Sequence, residues 1–69
     1  MINYIEATPA GNIALYEDNS LLGLAKDPDN IVYIILTHGG PAPIIRNRSL
    51  GKNWTEEHDL IWDKVCSIL

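Results

Sequence analysis

A disulfide framework, a membrane span and an excess of basic side chains are all missing from this sequence of 69 residues. Its single cysteine, Cys66, cannot form an internal disulfide, and no cluster of Cys and His residues supplies a structural zinc site. No apolar run approaches the roughly 18 residues of a membrane span. The N-terminal residues lack the basic start and long apolar core of a secretory signal. We therefore expect a cytoplasmic protein without membrane contact, metal or cofactor.

Basic residues are few: five Lys and Arg face nine Asp and Glu, which gives a formal net charge of -4. This balance opposes generic binding to nucleic acid, because such binding neutralises phosphates with Lys and Arg. The exception is a basic strip in which Arg46, Arg48 and Lys52 fall within seven residues that contain no acid. The strip is either a solvated strand edge that deters pairing or an anion site beside a helix N-terminus.

What the sequence does contain is apolar: hydrophobic residues make up 46% and charged residues 20%, a composition that favours one folded domain over residues 1–69. Turn residues recur at the spacing of an antiparallel β-meander. Gly23 indicates a bulge or a close approach of another part of the backbone. The predicted strands are about 2–7, 12–16, 21–26, 31–37 and 44–48.

The longest apolar run is Ile31–Leu36, which follows Pro28 in a predicted type I turn. Since the run does not alternate with polar residues, we interpret it as a central strand that needs cover on both faces. One helix can cover only one face. The other face requires closure into a partly closed five-stranded barrel, sheet pairing with a second copy, or a foreign protein.

A change of period after Asn53 predicts an amphipathic C-terminal helix over about 55–67, with Asn53 or Thr55 as its N-cap. Its apolar stripe includes His58 and Cys66. The predicted fold class is therefore α+β: a small antiparallel β-meander, or a partly closed five-stranded barrel, with this helix packed on it. A core of this size rarely supplies more than roughly 3–5 kcal/mol, so association is expected, and both a homo-oligomer and a monomer stay open.

No pattern in the chain indicates catalysis. His38-Gly39-Gly40 resembles an oxyanion loop but lacks the accompanying nucleophile elbow, so we interpret it as a turn. His58 and Cys66 are eight residues apart, about 12 Å along a helix, and cannot act as a base and nucleophile pair. We interpret both as packed core or boundary residues and expect no enzymatic activity.

The leading hypothesis is a small acidic module that binds a larger protein or nucleoprotein complex and could inhibit it; phage-encoded inhibitors offer an analogy of type only. Two alternatives stay open: a nucleic-acid-binding barrel that uses the basic strip, and a structural subunit of a homo-oligomer. Acidic side chains would oppose a basic surface on the target. The candidate partner-binding residues are Arg46, Arg48, Lys52, Tyr33, Ile35, Glu56, Glu57 and Asp59.

Overall fold

A computed structural model describes residues 1–40 and 52–69, which form two layers: an antiparallel sheet and two helices. The strands are β1 (Tyr4–Ala7), β2 (Ile13–Glu17) and β3 (Ser20–Ala25), and the helices are α1 (Pro28–Thr37) and α2 (Glu56–Ile68). The core lies between the layers. Its buried apolar side chains are Ile2, Ile5, Ile13, Leu15, Ile31, Val32, Ile35, Trp62 and Val65.

The sheet is a meander in the order β1-β2-β3, and it is open in the described part of the chain. Alternate residues face the helices, so Ile5, Ile13 and Leu15 are fully buried. The three strands lie where the sequence predicted the first three. The α+β class with a C-terminal helix is confirmed, whereas closure into a five-stranded barrel is not shown. The predicted strand 44–48 lies outside the described residues.

Gly23 marks a bulge, as its place inside a strand predicted. Leu15 pairs with Gly23 and the next residue of β2, Tyr16, pairs with Leu21, so Leu22 is the extra residue on β3. A Cβ atom at Gly23 would lie 3.0 Å from Cδ1 of Ile34, so the glycine also lets α1 approach the sheet closely. The bulge is therefore confirmed, and the close contact at Gly23 is with the side chain of Ile34, not with another backbone segment.

The main correction concerns the apolar run. The predicted central strand 31–37 is wrong: these residues lie in α1, whose N-cap is Asp27 and whose first residue is Pro28. Proline fits the first helical position because its missing N–H would have no intrahelical partner there. Helical spacing buries Ile31, Val32 and Ile35 on one face of α1.

The end of α1 follows an equally local signal. Gly39 and Gly40 have φ angles of +105° and +91°, which glycine adopts at no steric cost. The Gly40 N–H donates to the carbonyl of Ile35 at 2.9 Å, the hydrogen bond of a Schellman motif. The turn predicted at His38-Gly39-Gly40 therefore forms the C-terminal cap of α1.

Candidate protein-binding surface

Among the described residues, those predicted to contact a partner lie on different elements of the fold. Tyr33 is 69% exposed on α1, whereas Ile35 is fully buried on the opposite face of that helix and is not available to a partner. The two would share a face only in a strand. Lys52 is exposed, and Arg46 and Arg48 lie outside the described residues.

The acidic candidates lie in the first turn of α2. Glu56 and Glu57 are exposed, and both suit the positive end of the helix dipole. Asp59 is half-buried, and its carboxylate accepts a hydrogen bond at 2.8 Å from the indole Nε1 of Trp54. Asp59 thus holds Trp54 against the start of the helix, which leaves the two glutamates as the freer acidic groups.

His58 is a structural residue, in agreement with its interpretation as a packed histidine. It is 5% exposed, and its Nδ1 accepts a hydrogen bond from the Thr55 backbone N–H at 3.1 Å. The Thr55 hydroxyl lies 2.9 Å from the same nitrogen. The proton of the neutral ring therefore belongs on Nε2, which donates to the Gly11 carbonyl at 3.1 Å. The imidazole ties the start of α2 to the β1–β2 loop.

The face of the sheet turned away from the helices is built by cross-strand pairing. Tyr4 pairs with Tyr16, and Tyr16 pairs with Leu21, which makes one row across the three strands. In a second row, Glu6 pairs with Ala14, and Ala14 pairs with Leu24. We call this face the outer sheet surface, and its residues are Tyr4, Glu6, Ala14, Tyr16, Leu21 and Leu24.

The outer sheet surface is unusually apolar for a sheet face that neither described helix covers, although Ala14 within it is only 2% exposed. Leu21 is 51% exposed, Leu24 45% and Tyr4 36%. The tyrosine rings of the first row lie 5.6 Å apart, and the Tyr4 hydroxyl donates to the Glu6 carboxylate at 2.6 Å. Antiparallel sheets with a wet face usually carry polar side chains there. Five of the six residues on this surface are aliphatic or aromatic.

Sequence reasoning missed this surface because the bulge changes which leucines share a face. Strict alternation would put Leu22 with Leu24, and Leu21 on the other side. The extra residue at Leu22 instead turns that side chain to the core and leaves Leu21 and Leu24 together outside. Gly23 was the available signal, but its effect on side-chain direction depends on the pairing with β2.

Acidic side chains outnumber basic ones around the outer sheet surface. Residues 1–25 include three acids, Glu6, Glu17 and Asp18, and no Lys, Arg or His. The amino group of Met1 forms an ion pair with Glu17, and the exposed Lys26 directly follows β3. A rim of this kind attracts a basic partner and repels an acidic one.

Asp18 also shapes the β2–β3 turn. Its φ angle is +55°, in the left-handed region that Asp and Asn tolerate better than most residues. Asn3 holds it there, since the Asn3 side chain accepts from the Asp18 N–H at 2.9 Å and donates to the Asp18 carboxylate at 3.0 Å. The turn and its acidic group are thereby fixed at the end of the hairpin.

Within residues 1–40 and 52–69, no group of three or more His, Cys, Asp or Glu side chains is arranged to hold a metal ion. No helix in those ranges is long and apolar enough to cross a membrane. Over the same residues, the indole Nε1 of Trp62 is the buried side-chain nitrogen without a hydrogen-bond partner. It belongs to the core between the layers, so it does not define a ligand site.

Comparison with known proteins identifies no relative. No family model matches the chain, and neither the curated proteins nor the solved structures contain a match. The function has to be argued from the geometry of the outer sheet surface and from its charge.

Proposed function

We propose that the protein is a non-catalytic binding module that docks its outer sheet surface on a larger protein. The observation that carries the proposal is the exposure of Leu21 and Leu24, 51% and 45%, on the same face of the sheet. Covering the exposed part of such side chains is favourable by about 25 cal/mol per Å² of apolar area. The surface therefore offers binding energy that the described residues do not use.

The acids at the rim specify the chemistry of the partner. Glu6, Glu17 and Asp18 are three acids of the sheet, and Lys26, directly after β3, is the one Lys or Arg in residues 1–40 of the sequence. A complementary partner carries Lys or Arg around an apolar centre. Surfaces that bind nucleic acid often have such residues, so a module seated there would inhibit its partner by covering them.

This charge distribution also ranks the alternatives. Nucleic acid is disfavoured on this face because its phosphates would meet the acidic rim. A second copy of the chain would bring the same three acids to the contact, and like charges opposed to one another cost free energy. A basic protein surface satisfies both the apolar centre and the rim.

The test compares two variants that each add one negative charge at an exposed leucine. Leu24→Glu changes the outer sheet surface, and Leu60→Glu changes a site on α2 that is 69% exposed. Each tagged protein is used to recover partners from a lysate of the source cells at low salt, after its fold has been checked by circular dichroism. Wild type and Leu60→Glu are expected to recover the same stoichiometric partner, and Leu24→Glu to lose it.

Recovery of that partner at equal yield by both variants would place the interface elsewhere. Recovery of the free protein alone, or of its homo-oligomer alone, would reject the binding module. Nuclease treatment of the lysate separates a direct protein contact from one bridged by nucleic acid, and loss of the partner after nuclease would favour the nucleic-acid alternative.

A further inference from the structure

The edge of the sheet at β3 suggests how the partner is held. Among the described strands β3 has one neighbour, β2, so its other side is a sheet edge. The six residues of β3 are Ser20-Leu21-Leu22-Gly23-Leu24-Ala25, and they contain neither a charge nor a proline. Charges, prolines and β-bulges are among the devices that proteins use to stop other strands from pairing with an edge. Within β3 the bulge at Leu22 is the remaining one of these devices.

The ladder shows which backbone groups point outward. The Thr8 N–H donates to the carbonyl of Asn12 at 2.8 Å, and Asn3 N–H donates to that of Tyr16 at 3.0 Å. Residues 12, 14 and 16 therefore direct their backbone groups towards β1, since hydrogen-bonding direction alternates along a strand.

It follows that Ile13 and Leu15 bond to β3, through their partners Ala25 and Gly23. Leu21 and Leu24 pair with Tyr16 and Ala14, whose backbone groups point the other way. The N–H and C=O groups of Leu21 and Leu24 therefore point away from β2, at the sheet edge.

We propose that an extended, Lys- or Arg-bearing segment of the partner pairs with this edge and becomes an additional strand beside β3. The inference rests on the proposed function and names its mode of binding, β-strand addition, in which main-chain hydrogen bonds give affinity and side chains give specificity. The apolar side chains of the added strand extend the outer sheet surface next to Leu21 and Leu24.

Charge decides between this occupant and a second copy. The β2–β3 turn at the start of the edge carries Glu17 and Asp18, and Lys26 directly follows the edge at its other end. A basic segment lies favourably along that end. A second copy carries the same formal net charge of -4, so two copies repel each other overall.

The experiment uses the full chain labelled with ¹⁵N and a capped octapeptide of alternating Lys and Val as the probe. In the free protein, the Leu21 and Leu24 amides are expected to exchange with solvent at least about tenfold faster than those of Gly23 and Ala25. Saturating probe is expected to slow exchange at Leu21 and Leu24 by at least about tenfold. The matched octapeptide of alternating Glu and Val is expected to leave them unchanged.

A pair of variants separates the backbone contact from the side-chain contact. Leu24→Ala keeps the outward N–H and is expected to bind the probe, with affinity reduced a few-fold. Leu24→Pro removes that N–H without removing a bond to β2 and is expected to abolish binding. Should Leu24→Pro fail to fold, a probe N-methylated at alternate residues tests the same hydrogen bonds on the unchanged protein.

Three results would overturn strand addition. Leu24 amide protection in the free protein at every concentration would mean that the edge is already paired. Protection that grows with protein concentration would identify a second copy as the occupant. Equal effects of the Lys and Glu probes, or no effect of either, would exclude a basic segment as the strand that pairs with this edge. In the last case, loss of the lysate partner by Leu24→Glu would still support the binding surface, so the two proposals fail separately.

Discussion

At the scale of single residues, both ring nitrogens of His58 form hydrogen bonds that stabilise the fold. In a capping box the residue at the third helical position is usually Glu or Gln, and its side chain bonds to the backbone N–H of the N-cap. His58 takes that position and bonds to the Thr55 N–H, while its second nitrogen reaches Gly11 across 47 residues of sequence. One ring thus caps a helix and ties it to the sheet.

Replacing this ring should have a large effect on stability. His58→Ala leaves the Thr55 N–H and the Gly11 carbonyl without their partner, and we expect the free energy of unfolding to fall by about 2 kcal/mol. Urea denaturation followed by circular dichroism measures the change.

His58→Gln is the matched control. A glutamine at this position can restore the bond to Thr55, so we expect it to recover about half of the loss. If His58→Ala unfolds at the same urea concentration as the wild type, neither the two hydrogen bonds nor the packing of the ring contributes measurably to the free energy of unfolding.

At the scale of secondary structure elements, the apolar run shows the limit of periodicity as a signal. A short run without alternation fits a buried strand and a buried helix equally well, and its β-branched Ile and Val residues favour the strand. The correct signals were at its ends: Pro28 at the first helical position and Gly39 just after the last. Pro28 fits a type I turn as well as a helix start, so the local sequence alone left both open.

The helix makes a prediction that the strand does not. In a strand Tyr33 and Ile35 would share a face, so replacing either with alanine would have a similar cost. In α1, Ile35 is fully buried and Tyr33 is 69% exposed. We expect Ile35→Ala to lower the free energy of unfolding by about 3 kcal/mol. Tyr33→Ala should change it by less than about 0.5 kcal/mol, since alanine favours a helix.

Chemical denaturation of the two variants beside the wild type measures this difference. Far-ultraviolet circular dichroism of Tyr33→Ala serves as the check on structure, because its helical signal should be retained. A loss for Tyr33→Ala close to that for Ile35→Ala would contradict the assignment of α1.

At the scale of the whole molecule, acidic side chains outnumber basic ones. All nine acids lie in the described residues, beside three lysines: Lys26, Lys52 and Lys64. Repulsion among exposed acids destabilises a compact state, and salt screens it, with a Debye length that falls from about 30 Å at 0.01 M to about 3 Å at 1 M.

We therefore expect the melting temperature at neutral pH to rise by about 3 °C between 10 mM and 500 mM sodium chloride. Thermal unfolding followed by circular dichroism measures it. Choline chloride should give the same rise, which would separate screening from the binding of sodium ions. A constant or falling melting temperature would show that acid repulsion does not limit stability.

The sequence by itself determined the features that depend on local chemistry. Turn residues predicted the three described strands, the change of period at Asn53 predicted α2, and Gly23 predicted the bulge. These signals act over a few residues, through backbone conformation and side-chain spacing. Of the predicted contact residues, Tyr33, Lys52, Glu56 and Glu57 are at the surface, whereas Ile35 is buried.

Only the tertiary structure decided how the apolar residues are shared between the two layers. The sheet needed a helical layer on its inner face, and α1 and α2 supply it, with Ile31 and Ile35 of α1 fully buried in the core. Pairing with β2 then decided that Leu21 and Leu24 point outward together. Burial and strand register join residues that are distant in sequence, so no local pattern in the 69 residues carries that information.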